Sequence, residues 1–151
     1  MTRAVSRILC ATDLVSTPRA VLETAKTLAE STGATLTIMH VLRPPAIPPG
    51  QDLNAATMGR LQKQAREWAV AALQKLSCRT SREGIETTVL LRDGDPAEQI
   101  LRAGRATKAS FIVMGTHGRR GVMRLFLGSV AQRVVGLAPC AVVTVRGDRG
   151  R

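Results

Sequence analysis

Aromatic residues are almost missing from this chain: 151 residues hold no Tyr, one Trp and two Phe, namely Trp68, Phe111 and Phe126. The core has to be assembled from Val, Leu, Ile, Ala and Met. A surface on which nucleic-acid bases stack against rings is disfavoured for the same reason. Cysteine is scarce too. Cys10, Cys78 and Cys140 are odd in number, far apart and form no Cys-x-x-Cys pair, which argues against a disulfide scaffold and for a reducing compartment. Cys10 and Cys140 lie in apolar runs, where a free thiol packs as a small hydrophobe. No apolar run approaches the ~20 residues that cross a bilayer, and the first ten residues lack the apolar stretch of a signal peptide. A cytoplasmic protein without membrane contact is expected. Acidic residues are the other shortage: 11 Asp and Glu stand against 22 Lys and Arg, a formal net charge of +11. The basic residues are dispersed, with no block of five or six like charges. Such an excess suits a phosphate-bearing partner in general.

What is present alternates. The apolar run Ile8–Thr12 reads as a strand and ends at Asp13. Ser16 or Thr17 with Pro18 then reads as a helix start. Val21, Leu22, Ala25, Leu28 and Ala29 keep helical spacing up to Gly33. Thr35–Leu42 is a second strand. Pro44, Pro45, Pro48 and Pro49 exclude helix and interior strand from 43–50. A long helix is expected from about Asp52 to Arg82, with Leu61, Ala65, Trp68, Ala69, Ala72, Leu73 and Leu76 on one face. Ile85–Leu91 reads as the third strand. Asp95, Pro96 and Glu98 form a capping-box start for a helix to about Thr107, with Ile100, Leu101 and Ala103 inward. Phe111–Met114 is the fourth strand. Ser129-Val130-Ala131-Gln132 reads as another capping box, opening a helix to Leu137, and Cys140–Val145 is the fifth strand.

Strict β/α alternation predicts one doubly wound α/β domain over 1–146, followed by a flexible tail, 147–151. Five parallel strands in the order 3-2-1-4-5 carry helices on both faces. In that order Asp13 and Gly115 meet at the carboxyl ends of strands 1 and 4, where strand order reverses and ligands bind.

The chemistry concentrates after strand 4, in Gly115-Thr116-His117-Gly118-Arg119-Arg120-Gly121 and on to Gly128-Ser129-Val130. Strand, glycine-rich loop and helix start together aim backbone N–H groups at an anion. Gly115 permits close backbone approach, Gly118 suits a positive φ, and Gly128-Ser129 opens the last helix. Arg119, Arg120 and Arg124 add positive charge, and His117 lies in the same loop. No Walker Gly-x-x-x-x-Gly-Lys-Ser/Thr and no Gly-x-Gly-x-x-Gly occurs. A mononucleotide held by backbone donors is the expectation. His40 reads as a packed strand residue, since no second ligand stands at metal spacing from it. No catalytic constellation and no metal cluster emerge.

Gly115-x2-Gly118-x9-Gly128-Ser129, after an apolar strand and before a helix, resembles the ATP-binding motif of the universal stress protein (UspA-like) family. The resemblance covers the whole chain, with Asp13 after strand 1, His40-Val41 ending strand 2 and Ala138-Pro139-Cys140 leading into the last strand. It implies five parallel strands and ATP in the strand 1/strand 4 crevice. Asp13 and Val41 would flank adenine and ribose. Met114, Gly115 and Gly118 would line ribose and phosphate. Gly128, Ser129 and Val130 would hold the phosphates, with Mg2+ or Mn2+. Ala11, Thr116, His117 and Arg119 complete the candidate set. Val15 departs from the pattern, because many members carry a small hydroxyl residue there. The implied role is a stress-response sensor or signalling module that hydrolyses ATP slowly if at all. A nucleotide-independent interaction module, a weak ATPase and a nucleic-acid binder are the alternatives. A homodimer through the last strand, Ala141–Val145, follows both from the resemblance and from the apolar character of that strand, which wants covering.

Overall fold

The structure, a computed structural model, describes residues 4–15, 18–50, 53–116 and 127–146. Its elements are β1 (Arg7–Ala11), α1 (Pro18–Thr32), β2 (Thr35–Leu42), α2 (Ala55–Arg82), β3 (Thr87–Asp93), α3 (Pro96–Ala106), β4 (Phe111–Gly115), α4 (Ser129–Leu137) and β5 (Ala141–Val145). The sheet is parallel throughout, in the order β3-β2-β1-β4-β5. The strand order therefore reverses between β1 and β4.

Side chains alternate across a strand, and the core divides accordingly. Ile8, Cys10, Leu36 and Ile38 pack with Val21, Ala25 and Leu73 of α1 and α2. Leu9, Ala11, Met39 and Val41 pack with Ile100 and Leu101 of α3 and Ala131 and Val134 of α4. Cys10 is fully buried in the first layer, and all three cysteines are free thiols.

Gly33 closes α1 at φ 67°. Lys26, on the inner face of α1, is buried yet charged: its Nζ lies 3.2 Å from Glu23 Oε1 and also pairs with Glu83, the residue that caps the end of α2. The Glu83 hydrogen bond holds the ammonium above its usual pKa, with Glu23 acting in the same direction against desolvation.

Five expectations need correction. The long helix begins at Ala55, with Asn54 accepting from the Thr57 N–H at 2.8 Å as its cap. Its apolar face is buried only at Ala69 and Leu73. Leu61 and Trp68 remain 42% and 48% exposed. The reason is length: 28 residues make a helix of about 42 Å, so the first half projects past a β2 of eight residues. β3 lies two residues later than its apolar run, because pairing with β2 continues to Val41↔Arg92 and Leu42↔Asp93 and overrides the poor strand propensity of that pair. Ser129 is not a cap but the first residue of α4. Gly128 holds the capping position with φ −61° and ψ 156°, and no side chain caps this end. β5 begins at Ala141, one residue after Cys140.

α3 follows the expectation in its Asp95 cap and its first-turn Pro96, while the Glu98 side chain pairs with Arg102. Asp95 caps by accepting from the Glu98 N–H at 2.9 Å, and the same carboxylate receives Arg133 of α4 at 2.9 Å. Gly104 is the contact point of α3 with the sheet: a Cβ there would stand 3.0 Å from Ile112 Cδ1 and 3.8 Å from Pro139 Cγ. Gly104→Val is expected to destabilise the protein by about 1–3 kcal/mol through overpacking. Urea unfolding measures this, and an unchanged midpoint would contradict the tight approach.

Candidate functional site

The β1/β4 reversal sets the floor. Ala11 pairs with Met39 on one side and Met114 on the other. Ala11, Val41 and Met114 share one core layer, and Val130 of α4 packs against it. Four of the candidate residues, from four different elements, thus converge at the carboxyl edge of the sheet.

Beyond Ala11 the chain turns sharply. Thr12 N–H donates to the Met39 carbonyl at 2.9 Å. Leu14 N–H donates to Thr12 Oγ1 and Val15 N–H to Asp13 Oδ1, each at 3.0 Å. These two-residue side-chain turns carry Leu14 at φ 63°. They fix the Asp13 carboxylate, which is half-buried. The position of Val15 contributes its backbone, and its side chain is 54% exposed.

His40 holds this turn from behind. It is buried, and its Nδ1 lies 2.8 Å from the Thr12 carbonyl oxygen. A carbonyl only accepts, so Nδ1 carries the proton. The expectation of a packed strand residue describes its burial but not its link to the loop. That link depends on the Ala11↔Met39 register, which places the end of β2 beside the residue after β1.

On the other wall Gly115 pairs with Val145, and buried Thr116 donates its N–H to the Val145 carbonyl at 3.0 Å. Gly128 N–H donates to the Thr116 carbonyl at 2.8 Å. The chain thus leaves at Thr116 and returns at Gly128, with both ends clasped. His117, Gly118 and Arg119, along with Arg120 and Arg124, lie outside the described residues. At Gly128 the carbonyl accepts from Gln132 N–H at 2.9 Å. α4 therefore starts with the orphan N–H groups of its first turn, no side-chain cap and no acidic residue in that turn. α2 and α3 both begin with a side-chain cap. The N-terminus of α4 has the donor set that a phosphate requires.

Among the described residues no group of three or more His, Cys, Asp or Glu could hold a metal ion, and no described helix is long and apolar enough to cross a membrane.

The family model for the universal stress protein family matches residues 4–146. The chain belongs to that family. A universal stress protein of Thermus aquaticus is 38% identical over 122 residues, covering 81% of this chain and 85% of the relative. Two solved universal stress proteins share the fold. One, in complex with cAMP, superposes with a TM-score of 0.69 at 22% identity, covering 97% of this chain and 100% of the other. The second, from Archaeoglobus fulgidus in complex with dAMP, gives 0.59 at 23% identity, covering 94% and 98%.

Proposed function

We propose that this universal stress protein binds an adenine mononucleotide, ATP first among them, in the β1/β4 crevice and serves as a stress-response sensor or signalling module in the cytoplasm. The observation that carries this reading is the uncapped start of α4 facing the same sheet edge as the Asp13 turn. Two solved family members with adenine nucleotides support it. Asp13 and Val41 flank the adenosine moiety. Ala11, Met114, Gly115 and Thr116 form the wall beneath it. The free N–H groups of Ser129 and Val130, in the turn that Gly128 opens, receive the phosphates, with His117, Gly118 and Arg119 of the glycine loop as further candidate contacts. Mg2+ or Mn2+ would enter with the phosphates and neutralise their charge.

Calorimetric titration with Mg-ATP tests the proposal. One nucleotide per chain is expected at or below millimolar concentration, and native mass spectrometry should show an adenine nucleotide travelling with the purified protein. Absence of binding at millimolar ATP would remove the reading. Loss of affinity for DNA or RNA by several decades between low and moderate salt would favour the nucleic-acid alternative instead.

We also propose that two copies pair through β5. It is an edge strand of the sheet, and Val142, Val143 and Val145 are only partly covered. An unpaired apolar edge invites a second copy. Light scattering should give twice the chain mass, and a monomeric mass would contradict it.

A further inference from the structure

An open cleft of about 450 Å3 lies at the same edge of the sheet but between β2, β3 and α2, away from the β1/β4 crevice. Leu42 and Asp93, the last paired residues of β2 and β3, form its floor. Arg43, Pro44 and Pro45 form one wall, and Gly59, Gln62, Lys63, Ala65 and Arg66 of α2 form the other. Side-chain alternation along β2 sets Leu42 on the opposite sheet face from Val41, so the cleft lies on the α2 side while the nucleotide site lies on the α3/α4 side.

Its chemistry is mixed. Leu42, Pro44, Pro45 and Ala65 are apolar, and the prolines stiffen their wall. Three cations face one carboxylate. Arg66 is engaged by Asp93. Among the described residues Lys63 reaches only Glu67, at 3.9 Å, and both side chains are largely exposed. Arg43 makes no ion pair among the described residues. The cleft is therefore positive in net charge.

Gly59 is an independent sign. It is the fifth residue of α2, and glycine is the poorest helix former after proline. At Gly104 the close approach of Ile112 explains the glycine. At Gly59 an added Cβ would meet nothing within 4 Å, so packing does not ask for it. It stands in this wall of the cleft without a side chain.

We propose that the cleft is a second ligand site, which takes a small amphiphilic anion: a compact apolar body carrying one carboxylate, sulfonate or phosphate. The apolar body lies over Leu42, Pro44 and Pro45. The anionic group meets Arg43 and Lys63, the guanidinium offering a planar fork to its oxygens. Its volume lies in the range of small-molecule sites, and its open side leaves part of the ligand in water.

The probe is 8-anilinonaphthalene-1-sulfonate, with neutral N-phenyl-1-naphthylamine as its uncharged counterpart. Saturable fluorescence enhancement with one sulfonate per chain is expected, at least tenfold tighter than for the neutral amine. Arg43→Glu/Lys63→Glu should weaken it at least tenfold. Gly59→Leu should do the same while leaving the urea midpoint unchanged or raised. Gly128→Asp, in the nucleotide site, should leave it unaffected, which separates this proposal from the nucleotide reading. Unsaturable binding, equal affinity for the neutral amine, indifference to both cleft variants, or loss in Gly128→Asp would each overturn it.

Discussion

Gly128→Asp is expected to lower ATP affinity at least 100-fold while the folded state keeps or gains stability. The two effects run in opposite directions for one physical reason. Gly128 sits at φ −61°, ψ 156°, an extended conformation open to any residue. Its N–H to Thr116 and its carbonyl to Gln132 are backbone bonds that survive the substitution. Asp is a better helix cap than Gly by a few tenths of a kcal/mol, and its charge suits the positive end of α4. The carboxylate would occupy the N–H groups proposed for phosphate and repel the anion itself. A 100-fold loss corresponds to about 2.7 kcal/mol of binding. Calorimetry and urea unfolding on the same variant check both halves. Equal loss of stability and affinity would mean a damaged fold, and undiminished affinity would place the phosphates elsewhere.

The second large effect concerns alkali. Burial pushes the Cys10 thiol from 9.0 up to about 12, and the strand it occupies lies at the centre of the sheet. Between these values the unfolded chain has lost the proton that the folded chain keeps, so stability falls as pH rises. The loss is on the order of 4 kcal/mol across pH 9 to 12. Lys26, whose pKa is also raised, adds in the same sense: its stabilisation is present below pH 10.5 and disappears as pH passes its elevated folded value. With no Tyr in the chain, no phenolate obscures this limb. Cys10→Ala should flatten the fall of the urea midpoint above pH 9. A variant with the parent's slope would assign the alkaline loss to other groups.

Fold and strand order are legible because strands and helices alternate strictly and the helices carry their own punctuation: Gly33 and Gly84 at C-termini, Asp95-Pro96 at a start. What escaped was decided by pairing. β3 slides to Asp93 because β2 offers it partners as far as Leu42. α2 outruns the sheet, so Leu61 and Trp68 carry a helical pattern without a core beneath them. At the candidate site, the glycine spacing and the reversal rule point to the crevice where Ala11, Asp13, Val41, Met114 and Gly115 come together. The hold of His40 on Thr12 was hidden, because a side chain reaching the carbonyl after a neighbouring strand is a property of register. Ser129 reads as a cap in the sequence because Ser-x-x-Gln is a capping pattern, but the glycine before it takes the extended position.

The paired anchors Thr116–Val145 and Gly128–Thr116 uncouple the length of the intervening chain from the framework. Residues can be added or removed between 116 and 128 without disturbing either bond, and doubling such a span adds only about 0.6 kcal/mol of closure entropy. The number of residues between the two anchors can therefore change while the framework that carries Thr116 and Gly128 is inherited unaltered.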